Sequence, residues 1–167
     1  MTRQETIDSY KQKGFTVISH NYSGIDTDVL IKNNIVVRIG GDPGYSAFAK
    51  LAKDATSGLK NVVKIHTHLE PLGPVNNSNL NNEYSITEME LLTPMPQSES
   101  NPYETWIVSA LNEIRKENDP VSDPYNLSND LKILFNYAKE HNFSIDLLKS
   151  ANVMKRGSDF IILDPFI

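Results

Sequence analysis

A chain of 167 residues, 39% hydrophobic and 22% charged, has the length and balance of a single folded domain with its own core. Its net charge of −5 excludes a generic nucleic-acid surface, which needs clustered Lys and Arg against phosphate. The absence of cysteine excludes disulfides and thiolate metal sites, and no apolar run reaches the length of a membrane span.

The N-terminal stretch MTRQETIDSYKQKG is polar and lacks the apolar core of a secretion signal. The expected location is therefore cytoplasmic, or exported without a conventional signal into a host cell. Residues 2–13 suit a short amphipathic helix, with Ile7 and Tyr10 three apart and Gly14 as a stop. Phe15, Val17 and Tyr22 give a broken alternation. Two β-branched runs, residues 29–31 and 35–39, flank Asn33 and Asn34, which predict a hairpin turn because Asn tolerates positive φ. The glycines and proline of residues 40–44 break the sheet.

Residues 45–55 then place Tyr45, Phe48, Leu51 and Ala52 on one helical face, with Gly58 as a C-terminal stop. NVVKIHTHLE (61–70) and YSITEMELL (84–92) read as two strands around a loop rich in Pro and Asn, and TPMPQSESNP (93–102) reads as a loop. Helical spacing returns in residues 103–117, with Trp106, Ile107, Ala110, Leu111 and Ile114, and in residues 128–141, with Leu131, Leu134, Phe135 and Ala138. Val153-Met154 and residues 160–163 form a closing pair of strands around Gly157, Ser158 and Asp159. The expected class is α+β, strand-rich in its first half and helical in its second.

The chemically suggestive residues gather at the end, in SIDLLKSANVMKRGSDFIILDPFI. A hairpin preceded by Asp146 and Asn152 and followed by Asp164 would bring two carboxylates and an amide to one end. Phosphate transfer needs such a set: one carboxylate to orient the acceptor hydroxyl, and a carboxylate and an amide to hold Mg²⁺. Asp and Asn are also the commonest turn residues, so composition alone leaves both readings open. His66 and His68 alternate on a strand with no third ligand beside them and read as a surface pair. Glu83, Glu88 and Glu90 read as a solvated strand edge.

The stretch IDLLKSANVMKRGSDFIILDPF resembles the catalytic loop and metal-binding strand of protein-kinase-like enzymes, in the style of the small bacterial and phage kinase-like proteins. DVLIKNNIVVRIG resembles the second and third strands of their nucleotide lobe, DPGYSAFAKLAK the helix that follows, and the next two strands lead to a hinge near residues 89–91. The resemblance implies a two-lobed minimal protein-kinase-like fold: a strand-rich nucleotide lobe in residues 1–95 and a reduced helical catalytic lobe in residues 96–167. It implies Asp146 as the residue that orients the acceptor, Lys149 as a cation near the γ-phosphate, and Asn152 and Asp164 as Mg²⁺ ligands. ATP would be held by Arg38, the Gly24 loop and the hinge at Glu90 and Leu91.

Departures from the family pattern are specific. Arg38 stands for the third-strand lysine, with Lys32 and Lys64 as alternative cations. The helix after that strand offers only Asp54 where a glutamate is usual, and Gly24 is alone in its loop. Ser144 replaces a histidine, the spacer from Asp146 to Asn152 is one residue longer than the family's, and Pro165 replaces a glycine. The implied function is ATP-dependent phosphorylation of a protein Ser or Thr, with a bacterial effector acting on a host protein as one form. A small-molecule acceptor is disfavoured because the reduced lobe leaves little to build a pocket. An inactive kinase-like binding module is the alternative. No nucleic-acid partner is expected.

Overall fold

The computed structural model describes residues 2–18, 27–70 and 84–167. Gly24, Tyr22 and Glu83 lie outside them. The fold is α+β, with a five-stranded antiparallel sheet and four α-helices among the described residues. The chain divides into two compact units: Met1–Lys50 with Lys64–Leu91, and Leu51–Val63 with Leu92–Ile167.

In the first unit, α1 (Arg3–Gln12) starts at a capping box: Thr2 accepts from the Glu5 amide and the Glu5 carboxylate accepts from the Thr2 amide. β1 is only Thr16–Val17, followed by β2 (Thr27–Lys32) and β3 (Ile35–Gly40). The predicted hairpin forms around Asn33, which takes the left-handed conformation at φ 52°, and pairs Lys32 with Ile35. α2 (Pro43–Lys53) begins where Asp42 accepts from the Gly44 and Tyr45 amides at 2.9 and 3.2 Å, with Pro43 at the tolerated first position. It buries Tyr45, Phe48 and Ala49. Leu51 and Ala52, expected on that face, are only half-buried, and the helix ends at Lys53, five residues before Gly58.

β4 (Ile65–Leu69) and β5 (Ser85–Glu90) complete a sheet in the order β1-β2-β3-β5-β4. β5 therefore lies between two partners, and Glu88 is not on a sheet edge as expected: it accepts a hydrogen bond from the Tyr10 hydroxyl at 2.8 Å. Leu30, Val37, Ile39, Tyr84 and Ile86 from the sheet pack with Ile7 of α1 to make the core, flanked by Tyr10, Phe15 and Val17. This alternation of inward apolar residues is what sets the register, since a one-residue slip would turn the set outward.

In the second unit, α3 (Gln97–Arg115) starts six residues before the helical spacing suggests. Residues 97–102, read as loop, are helical despite Pro102, because long-range contacts described below hold the first turns. α4 (Ser128–His141) has the expected bounds and buries Leu131, Leu134 and Ala138. It ends at Asn142 in the left-handed conformation, φ 59°. A 3₁₀ turn, Ser150–Asn152, leads into the hairpin of β6 (Val153–Arg156) and β7 (Asp159–Ile162), turned at Gly157 with φ 62°. Only half of the predicted strand over residues 61–70 enters the first sheet. Asn61 and Val63 bond instead to Ile162 of β7, at 2.8 and 2.9 Å, in a parallel bridge.

Candidate functional site

Asp146, Asn152 and Asp164 meet at the closing end of the second unit. The segment before the 3₁₀ turn runs antiparallel to the chain end: Ser144 and Ile167 exchange backbone hydrogen bonds at 2.8 and 3.0 Å, and the Asp146 amide donates to Pro165 O at 2.8 Å. On the other side, Leu163 N–H donates to Asn152 O at 2.9 Å, and Asn152 Nδ2 donates to Asp146 O at 2.5 Å. Asp164 stands between Leu163 and Pro165, so its neighbours on both sides are bonded to the other two residues. The spacing in the sequence produces this because β6 and β7 return the chain beside its starting point, as the hairpin prediction required.

All three residues are half-buried, and Oδ1 of Asp164 is sheltered from solvent. Because Nδ2 of Asn152 donates to Asp146 O, the amide oxygen Oδ1 is left as the atom that could ligate a cation. A carboxylate and an amide oxygen are hard ligands of the kind Mg²⁺ takes while keeping several waters, so the donor set fits that ion. Among the described residues no group of three or more His, Cys, Asp or Glu could hold a metal by itself. The set here has only two acids and depends on the amide.

A supporting layer comes from α3, and sequence spacing alone did not single it out. The buried Tyr103 hydroxyl donates to Leu147 O at 2.8 Å, Glu104 accepts from the Ser150 amide at 3.3 Å, and Lys155 of β6 pairs with both oxygens of Glu99 at 2.9 Å. Burial, with the charge of Glu104 added, pushes the Tyr103 phenol well above its ordinary value, so it remains a donor at any physiological pH. The raised folded value means that this contribution to stability is complete below about pH 10, where the unfolded phenol titrates, and is lost as pH climbs through the folded value. Stability in urea is expected to fall above about pH 10, and to fall less steeply in Tyr103→Phe.

Lys149 is exposed on the same turn and its carbonyl accepts from the Asn152 amide at 3.1 Å. The other predicted residues belong to the first unit. Arg38 on β3 lies over the Tyr45 ring, 3.7 Å from its centroid, and Nη2 is 3.4 Å from Asp42. That stack and ion pair leave the side chain only 16% exposed. Glu90 binds back to its own unit: its amide donates to Lys64 O at 3.0 Å and its carboxylate accepts from the Lys64 amide at 2.8 Å. Leu91 exposes its side chain and donates its amide to Asn34 O at 3.0 Å. Of the alternative cations, Lys32 donates to Lys13 O at 2.6 Å and Lys64 is exposed.

His68 corrects the expected surface pair. His66 is exposed, but the His68 ring is 3% exposed and bridges Ser46 Oγ at 3.2 Å and Thr87 Oγ1 at 2.8 Å. It ties α2 to β5 from β4, with Lys50 and Glu70 paired at 2.6 Å alongside. The chain matches no family model and no curated protein, so its reading rests on its own residues.

Proposed function

We propose that the chain is a two-lobed minimal kinase that transfers the γ-phosphate of ATP to a protein Ser or Thr hydroxyl. The observation that carries the reading is the convergence of Asp146, Asn152 and Asp164: Asn152 bonds to Asp146, and the neighbours of Asp164, Leu163 and Pro165, bond to Asn152 and Asp146. The order of elements adds support: a hairpin, a helix and two strands in one unit, then two helices and a closing hairpin that belong to the other.

In this reading the Asp146 carboxylate orients the acceptor hydroxyl and receives its proton as the new O–P bond forms and the bond to the β-phosphate oxygen breaks, releasing ADP. Asn152 and Asp164 would hold Mg²⁺, which would supply charge neutralisation for the phosphates. Lys149 adds positive charge from the exposed side of the turn.

A non-catalytic binding module is favoured by two observations: Arg38 is engaged by Asp42 and Tyr45, and Glu90 by Lys64. Incubation with Mg²⁺ and γ-labelled ATP, with and without a cell lysate, separates the two. Transfer of label that requires Mg²⁺, disappears in Asp164→Ala and persists in Asp54→Ala is the expected result. ATP binding without transfer, indifferent to Asp146→Ala, establishes the module instead.

A further inference from the structure

We propose that Tyr103 and Glu104 are positioning residues that fix the 146–152 loop from α3. Two bonds on successive residues of one helix reach two points of that loop: Tyr103 OH holds Leu147 O, immediately after Asp146, and Glu104 holds the Ser150 amide at the start of the turn that carries Asn152. Glu99, one turn earlier on the same helix, holds Lys155 just after the turn. The anchors from Tyr103 and Glu104 fall at Leu147 and Ser150, between Asp146 and Asn152, and the anchor from Glu99 falls at Lys155, after Asn152.

The Tyr103 side chain is fully buried and Leu147 beside it is also buried, so the bond is shielded from competition by water. The Asp146–Asn152 bond joins the ends of the loop to each other but not to a rigid element. α3 supplies that element. This also accounts for a helix that begins at Gln97, since its first turns carry the Glu99 anchor. The clamp itself is read from these bonds, and only its effect on turnover rests on the kinase reading.

The test uses the full chain with Tyr103→Phe, Glu104→Ala and Glu104→Gln. Amide hydrogen exchange is followed residue by residue, together with urea stability, kcat and KM for ATP. The clamp predicts about tenfold faster exchange at Ser150 and Asn152 in Tyr103→Phe and Glu104→Ala, beyond the change elsewhere in the unit. It predicts a ten- to hundredfold loss of kcat with KM for ATP little changed, because a misplacement near 1 Å suffices. Glu104→Gln keeps an acceptor oxygen and restores both. Exchange that rises only in proportion to lost global stability overturns the proposal, as does a kcat unaltered in Tyr103→Phe. If the wild-type chain transfers no phosphate, the kinase reading falls, and the exchange pattern alone upholds or overturns the clamp.

Discussion

Asp130→Ala is expected to destabilise the protein by about 3 kcal/mol, through removal of a buried acceptor shared by two backbone amides. Asp130 is 1% exposed on α4. Its oxygens accept from the Lys60 amide at 3.0 and 3.1 Å and from the Asn61 amide at 2.6 Å, and Asn129 Nδ2 adds a bond at 3.0 Å. Charge-assisted bonds of this kind are stronger than neutral ones, and a sheltered amide left without an acceptor costs roughly 1–3 kcal/mol. A loss of that size lowers the melting temperature by roughly 6–12 °C in a chain of this length. Asp130→Asn keeps one oxygen and loses the charge, so it should fall between. Urea unfolding of the three proteins checks the order, and an alanine variant within 0.5 kcal/mol of wild type, roughly the scatter of a surface substitution, would refute the account.

Asp146→Asn is expected to reduce phosphate transfer by about 10² to 10⁴, the range typical of a lost general base, while ATP binding persists. The main chain at this residue is held independently of the side chain: its amide bonds to Pro165 O and its carbonyl accepts from Asn152. The substitution is nearly isosteric, so the loop should keep its shape and the loss should appear in kcat. Single-turnover kinetics with an ATP-binding titration checks this. Equal transfer by the variant would show that Asp146 only shapes the turn, the alternative that its composition always allowed.

Local chemistry made several features legible before the structure. Asn33 and Asn34 announced the hairpin because few other residues accept a positive φ there, and Leu131, Leu134 and Ala138 marked α4 because its inward face repeats with the helical period. The order Asp146, Asn152, hairpin, Asp164 indicated that the three would converge. Periodicity carries no information about partners far along the chain, and that is where the expectations departed. Glu99 meets Lys155 56 residues later, and this contact helps to hold a helix turn that propensity alone would leave open. His68 is drawn inside by Ser46 and Thr87, on two other elements. Glu88 sits in the sheet interior because β5 pairs on both sides, a matter of strand order. Asp130 is a first-turn acid of α4, and nothing within that helix shows that its backbone partners lie about 70 residues upstream.

The bridge from Asn61 and Val63 to Ile162 has a practical meaning for anyone dissecting the molecule. The second unit is spliced from two stretches of chain, Leu51–Val63 and Leu92–Ile167. A fragment that starts at residue 92 leaves behind the outer partner of β7 and both amides bound by Asp130. A single cut near the junction of the units therefore does not yield a half that can stand alone. Excising the second unit intact calls for a circularly permuted chain, in which residues 51–63 are carried along by a new covalent connection.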